Sequence, residues 1–534
     1  MRTTRRIGLA TLGTLTGWFA LGACVDAPRE VESTESSAIT SSSSSGIVGP
    51  VGPVDFGYYT YGFGQATTFA SSTTLENAGT LDFEYGPGDG SLGALPLGGG
   101  NYKFFGAGAQ KPCEPAGTYI FGCQDEGVFS LTGTFTGVTQ TTADSFTPLF
   151  GKGAANSGHA PGWNFDRDYA GGGQVVPYTA TWYLYEFGGG REAFSSSGLL
   201  MPYHGEYHYD PSCDPSTTPG CQSNYYAGMG LAVGSSDGTS FESFGQIVQM
   251  YPPRAQYDYA GAPNVGNSFG SFVVADASGN HLANPPPSGS DAYLYLFYQD
   301  VDPNAGTTGD ANPAICVHSC MAVARASYAS VMETLTPAFI DPIVPSVQTL
   351  FHKYYVDPTT GAGTWTQPGT TDAGEDEWSG KFTALMPDVV ATMVSVLYDQ
   401  TSDEYLAAFQ ASPSPDQTFD NSQICIRTSP DLIHWSPTST PGTTPQCATF
   451  FQTAAGYGKP GGGTGTTLLH HTEIYPTLIG ETGDPLVGGP APRVFFQDFE
   501  AHDNNPSLDT FPSPWSTYHY GLESTPVNVT FHRL

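Results

Sequence analysis

Six consecutive residues, Tyr203-His-Gly-Glu-Tyr-His208, carry the densest chemistry in the chain. Side chains alternate along an extended strand, so His204, Glu206 and His208 share one face while Tyr203 and Tyr207 share the other. Three polar groups on one side of an aromatic strand are costly to bury without partners. The face therefore reads either as a site or as the polar outer side of an exposed strand. Two further segments each place one carboxylate just before an apolar run: Leu385-Met-Pro-Asp-Val-Val390 with Asp388, and His470-His-Thr-Glu-Ile-Tyr475 with Glu473 beside His471. Gly162-Trp-Asn-Phe-Asp-Arg-Asp168 offers Asp166 and Asp168 next to Trp163. Each of these acids also fits a loop or capping role. Carboxylates gathered in an apolar pocket suit general acid–base chemistry, because neighbouring acids push each other's pKa values apart and one can keep its proton near neutrality.

The elements that must position these acids recur. One half of the repeated unit is an aromatic strand ending in acid, at residues 199–210, 293–302 and 493–503. The other half is an alternating strand that runs into a turn, at 228–248, 319–330 and 422–438. The closest echo sets Phe297-Tyr-Gln-Asp-Val-Asp302 against Phe495-Phe-Gln-Asp-Phe-Glu500. Asp300 and Asp498 read as the counterparts of Glu206, on strands expected to line a central axis. Repetition at tens of residues, in strands, implies radially repeated sheets. The fold class expected is all-β: a five-bladed β-propeller with short disulfide-stapled loops and a central pocket. Residues 54–154 are β-rich and read as a first blade or an added sheet, and 155–534 as the remaining blades, at 155–255, 265–365, 380–450 and 465–534. The best helix signal is Ala326 to Leu335.

Composition agrees: Gly 67, Pro 43, Tyr 30 and Phe 32, with 13% charged residues, describe turns and aromatic strands rather than helical bundles. A formal charge of −33, from 50 acidic and 17 basic side chains, repels phosphate backbones, so no nucleic-acid partner is expected. The N-terminus has basic Arg2, Arg5 and Arg6, an apolar run from Ile7 to Ala20 and then Leu21-Gly-Ala-Cys24. This is a secretion signal over 1–24, too short to span a membrane. Its ending resembles the bacterial lipobox, which implies lipidation of Cys24, a membrane contact through the lipid anchor and a place at the bacterial cell envelope, at the outer membrane or cell surface. Thr4-Arg5-Arg6 also resembles the start of a twin-arginine signal. Residues 25–53 form a Ser/Gly/Pro-rich tether.

The other eight cysteines fall into near neighbours: Cys113 with Cys123, Cys213 with Cys221, Cys316 with Cys320 and Cys425 with Cys447. In an exported chain that pattern favours local disulfides, although Cys316-Val-His-Ser-Cys320 also has the form of half a metal site. Asp300-Val-Asp-Pro-Asn-Ala-Gly306 has the oxygen spacing of a calcium loop at Asp300, Asp302 and Asn304, but lacks the glycine at position six and the closing Glu; it reads as calcium site or Asx-rich turn. Calcium is the one cofactor the sequence admits, and none is required. Gly266-Asn-Ser-Phe-Gly270 matches a nucleophile elbow in letters, yet a strand follows where that motif needs a helix.

Three segments carry a family resemblance. Ser429-Pro-Asp-Leu-Ile-His-Trp-Ser-Pro437 looks like the Ser-x-Asp-Leu-x-x-Trp turn of the five-bladed propeller glycoside hydrolases, the broad group of families 32, 43 and 117; residues 234–248 and 320–327 are similar to their strands. The resemblance covers roughly residues 155–534 and rests on blade-building motifs. It implies an acid/base pair of carboxylates and a third that orients them, each from a different blade. By that analogy Glu206 is the proton donor, Asp388 or Asp166 the base and Glu473 a supporting group, acting on a glycosidic bond. The usual early-blade aspartate motif is missing. Tyr203, Trp163, His204, His208 and His471 would bind the carbohydrate. The expected partner is a carbohydrate substrate, and the expected state a monomer. A surface lipoprotein that binds glycans without cleaving them, and a propeller used for protein contacts, are the alternatives.

Overall fold

The computed structural model describes residues 57–63, 65, 67–71, 91–109, 126–140, 149–151, 169–185, 191–208, 225–250, 265–335, 350–365, 381–412, 423–436, 446–448, 468–503 and 518–533, apart from 303, 308, 310 and 318. Their strands form the five blades of a propeller. The first blade holds Gly93–Gly98, Asn101–Ala109, Glu126–Thr134 and Gly137–Gln140. The second starts on Tyr169–Gly172 and Val176–Tyr185, which both pair with Arg191–His208, and continues through Tyr225–Ser235 to Phe241–Val248. Ser268–Asp276, Ala292–Asp300, Cys320–Ser327 and His352–Lys353 make the third. Val390–Asp399, Glu404–Ser412, Gln423–Ser429 and Gln446–Ala448 make the fourth. The fifth joins both parts of the chain: Leu468–Ile479, Arg493–Asp503 and Tyr518–Arg533 are completed by Gly57–Phe63 and Thr67–Ser71. The region expected as a first blade or added sheet thus divides between the first blade and the edge of the last.

Alternation along the strands gives every blade two apolar faces, and each packs on a neighbour. Leu200, Met229 and Leu231 of the second blade meet Phe272, Leu294 and Leu296 of the third in one buried cluster. The opposite face of the third blade, with Val273, Tyr295 and Phe297, meets Val394, Val396, Tyr405 and Phe409 of the fourth in another.

A repeated polar position ties the innermost strands together. The backbone N–H of Val396 donates to Ser271 Oγ (2.9 Å), that of Leu478 to Ser395 Oγ (3.0 Å) and that of Leu92 to Thr477 Oγ1 (2.9 Å), in each case from one blade to the blade before it. The N–H of Phe272 donates in the same sense to Gln174 Oε1 of the second blade. All four acceptors are at most 4% exposed. Where the first blade meets the second, the backbones touch: a Cβ at Gly173 would lie 1.4 Å from the carbonyl oxygen of Ser91, and one at Gly93 1.7 Å from that of Gly173. Only glycine fits there.

Two residues before the hydroxyl in three blades, the strand bulges. Register shifts fall at Ser268/Ser271, Thr392/Ser395 and Ile474/Thr477. Each bulge holds a bulky residue in the left-handed region: Phe269 at φ 57°, Met393 at 54° and Tyr475 at 56°. Such conformations cost on the order of 1–3 kcal/mol each and gather at functional sites.

The aromatic strands that end in acid are the second strands of their blades, not the innermost ones. Of the four expected cysteine pairs, Cys316–Cys320 and Cys425–Cys447 are disulfides, the first replacing the half metal site. The expected pair Cys113 and Cys123 and the expected pair Cys213 and Cys221 lie outside the described residues, as does Cys24. The Ala326–Leu335 signal is the helix Tyr328–Thr334. In the Ser-x-Asp-Leu-x-x-Trp turn, Asp431 accepts from the N–H groups of Ile433 and His434, and Trp435 Nε1 donates to Leu432 O at 3.1 Å. The motif builds a blade corner.

Ser395→Ala deletes the acceptor for the Leu478 N–H in a buried junction. Urea unfolding is expected to show a loss of about 1–3 kcal/mol, against a change within about 0.5 kcal/mol for the control Ser236→Ala on an exposed turn.

Candidate functional site

In four blades the second strand carries a polar residue at one register, opposite the bulge in the third, fourth and fifth. Pairing sets His204 against Gly171, Gln299 against Ser268, Gln410 against Thr392 and Gln497 against Ile474. Counting from these partners, Glu206 stands two residues past its register position, as Val301 does in the third blade. Asp300 and Asp498 stand one past theirs, level with Gly205. They are therefore not counterparts of Glu206, because one step along a strand reverses the face.

That one step separates two fates. Asp300 is fully buried and pairs with Lys353 Nζ at 3.0 Å; Lys353, equally buried, also donates to Gln249 O at 2.6 Å. Burial drives the Asp300 carboxyl up to about 6 even though the Lys353 ammonium opposes the shift. Asp302 accepts from Asn312 Nδ2 at 2.9 Å and from the Asn304 N–H at 2.9 Å. The oxygens expected to hold calcium are thus engaged by a lysine, an amide and the loop's own backbone, and Asn304 is exposed.

On the other face, His204 and Glu206 lie side by side, with His204 Nε2 3.8 Å from Glu206 Oε1. They are 2% and 6% exposed. Burial alone depresses the His204 pKa to about 3, so the imidazole is neutral at pH 7 and the contact is not an ion pair there. The His204 ring meets Phe269 at 4.8 Å between centroids, and Phe269 meets Tyr475 at 5.3 Å. The Tyr475 N–H points at Met393 Sδ, 3.3 Å away. The three bulge residues therefore meet one another beside the histidine, bringing the second, third, fourth and fifth blades to one place.

Asn267, two residues before Phe269, completes this corner. Its N–H donates to Ala227 O at 3.1 Å, and Ala227 is the cross-strand partner of Glu206. Its side chain is fully buried, and neither amide atom has a hydrogen-bond partner among the described residues.

The remaining expected residues divide. Tyr203 faces away from Glu206, is fully buried and hydrogen-bonds Ser243 Oγ at 2.7 Å; it belongs to the core rather than to a sugar face. Asp388 sits outside the strands, in a bidentate ion pair with Arg427 Nη1 and Nη2 at 2.7 and 2.9 Å. Its own side chain is 37% exposed and that of Arg427 1%. Asp166 and Trp163 lie outside the described residues, as do the side chains of His208, His471 and Glu473. The backbone of Glu473 is placed two residues before Tyr475, the register held by Asn267 in the third blade. Sequence reading missed Asn267, Phe269, Met393 and Tyr475. A signal was present: a bulky residue two before a hydroxyl, in Phe269-Gly-Ser271, Met393-Val-Ser395 and Tyr475-Pro-Thr477.

No protein-family model matches the sequence, and no curated protein matches it. Among solved structures the chain is similar to the catalytic domain of a GH62 α-L-arabinofuranosidase from Coprinopsis cinerea, at 12% identity, 86% of this chain, 97% of that chain and a TM-score of 0.36. It is also similar to a protein of unknown function from Dyadobacter fermentans, at 9% identity, 88% and 99% coverage and a TM-score of 0.33. A third similarity is to an endo-1,5-α-L-arabinanase from Thermotoga petrophila, at 10% identity, 83% and 98% coverage and a TM-score of 0.23. The fold itself is the five-bladed propeller that the sequence led us to expect.

Two outcomes follow from these placements. Lys353→Met strands the Asp300 carboxylate and is expected to cost about 3–5 kcal/mol in urea unfolding, with most of it recovered in the double variant Asp300→Leu with Lys353→Met. For His204, the folded pKa near 3 lies below the ordinary 6.5, so the unfolded chain binds the proton first as pH falls. Stability is then lost from about pH 6.5 down to about pH 3, on the order of 1.4 kcal/mol per unit. His204→Gln, the residue found at this register in three other blades, is expected to shrink the drop in urea midpoint between pH 7.5 and pH 4.5.

Proposed function

We propose that this chain is a glycoside hydrolase that cleaves glycosidic bonds of a polysaccharide or oligosaccharide, with Glu206 as proton donor. The observation that carries the reading is the placement of Glu206: a buried carboxyl beside a neutral imidazole, at the corner where bulged strands bring Phe269 and Tyr475 together. Aromatic rings beside a carboxyl are the surroundings in which sugars are held and glycosidic oxygens protonated.

In this reading Glu206 gives its proton to the leaving oxygen as the C–O bond breaks. A second carboxylate removes a proton from the water that adds to the anomeric carbon, or adds there itself before water displaces it. Candidates for that second group are Asp388, Asp166 and Glu473. His204, neutral at working pH, offers its ring nitrogen near the Glu206 carboxyl without competing for the proton. The chemistry requires no cofactor. We take the protein to act as a monomer, exported and held at the bacterial cell envelope through lipidated Cys24, with the 25–53 tether as spacer.

One observation favours the second reading, a glycan-binding lipoprotein without hydrolysis: both oxygens of Asp388 are taken by Arg427, as suits a structural acid. Sugar release from a panel of plant, algal and bacterial polysaccharides separates the two. The full chain is expected to release sugar, and Glu206→Gln to lower the rate at least about 100-fold with an unchanged melting temperature. Equal release by the variant would remove Glu206 from the chemistry, and binding without release by either protein would favour the second reading.

A further inference from the structure

Asn267 has a fully buried side chain whose amide nitrogen and oxygen both lack a hydrogen-bond partner among the described residues. Leaving such atoms unpaired is costly, and native interiors rarely tolerate it. An apolar residue of the same size would fill the place without that penalty. The setting of the residue is equally specific. The Asn267 N–H is bonded to Ala227 O, directly across the sheet from Glu206, and two residues later Phe269 packs on His204 and Tyr475. The innermost strands of the fourth and fifth blades bulge in the same way, yet the equivalent position in the fourth blade is Ala391, fully buried and apolar. The fold therefore accepts an apolar side chain at this register, and the amide of the third blade is not a requirement of the bulge.

We infer that Asn267 is a substrate-binding residue of the Glu206 corner, its amide donating to one hydroxyl of a neutral sugar ring and accepting from a neighbouring one. The inference rests on the glycan reading above. An amide has one donor group and one acceptor in a plane, which matches a pair of adjacent hydroxyls and gives no charge to a carboxylate or sulfate. The charge of the whole chain points the same way, since −33 repels anionic glycans. The bound ring is thus uncharged, and Asn267 selects for hydroxyls near the bond that Glu206 protonates.

Asn267→Leu tests this because a purely structural amide and a binding amide predict opposite things. The full-length wild-type chain, Asn267→Leu and Glu206→Gln are compared in melting temperature and in affinity for neutral gluco-, galacto-, xylo-, manno- and arabino-oligosaccharides, with oligogalacturonides as the anionic comparison. The expected result is a melting temperature for Asn267→Leu equal to or above wild type, a loss of at least about tenfold in affinity for the neutral sugar that the wild type binds, and affinity retained in Glu206→Gln. A lower melting temperature with unchanged affinity would mean the amide serves the fold, through a bridging water, and would overturn the inference while leaving the glycan reading intact. Preference of the wild type for oligogalacturonides would overturn it as well. Should the wild type bind and cleave none of these sugars, the glycan reading fails and this inference with it. If Asn267→Leu does not fold, Asn267→Ala removes both amide atoms with less added bulk, and its unchanged affinity for the neutral sugar would be equally decisive against the proposal.

Discussion

A propeller must close its ring with blades that share no strands, and here closure rests at four of the five junctions on a buried backbone N–H of the innermost segment. An N–H buried between two sheets has no water to turn to, so its acceptor must come from the neighbouring blade. Ser271, Ser395 and Thr477 supply it with a hydroxyl and Gln174 with a carbonyl. Short side chains are suited to this, since the acceptor atom lies close to its own backbone and holds the next strand at fixed distance. The junction between first and second blades reaches the same closeness differently, through Gly93 and Gly173.

Much of the candidate site follows from that closure. Three strands bulge just ahead of the acceptor, and the extra residue is held at positive φ. The bulge breaks the alternation that would otherwise bury Phe269, Met393 and Tyr475 between sheets, and these side chains instead meet one another beside His204. The strain of three such residues is offset by hydrogen bonds they do not make themselves. Site and scaffold are here parts of one device, which explains why three of the five described non-glycine residues at positive φ, Phe269, Met393 and Tyr475, gather next to His204.

The repeat and the fold class are legible in the sequence because blade faces alternate cleanly along Ala292–Asp300, Glu404–Ser412 and Arg493–Asp503, and because the echo of Phe297–Asp302 in Phe495–Glu500 is a true register match. The same clarity misleads at the next level. Second strands, unbroken and aromatic, look like the lining of the axis, whereas the innermost strands hide their periodicity at the bulges. Matching Glu206 to Asp300 is then one residue off register, and a one-residue error exchanges a site face for a packing face. Asp388 looks catalytic from its place before an apolar run, but no pattern in the sequence announces that Arg427, 39 residues later, will close on it. Asn267 stands inside Gly266-Asn-Ser-Phe-Gly270, which fails as a nucleophile elbow because a strand follows; the bulge, not the serine, is its content.

With 17 basic side chains against 50 acidic ones, where the cations go decides what the surface can recognise. Lys353 is buried on Asp300, Arg427 is buried on Asp388, and Arg325 is set between the rings of Tyr293 and Trp365, 4.2 Å from each centroid. Each is engaged inside the fold, holding a loop, a strand entry or an aromatic cluster in place. What the described corner near Glu206 offers a ligand is a carboxyl, a neutral imidazole, an amide and aromatic faces. Such a set discriminates by the direction of hydrogen bonds and the shape of a ring rather than by charge.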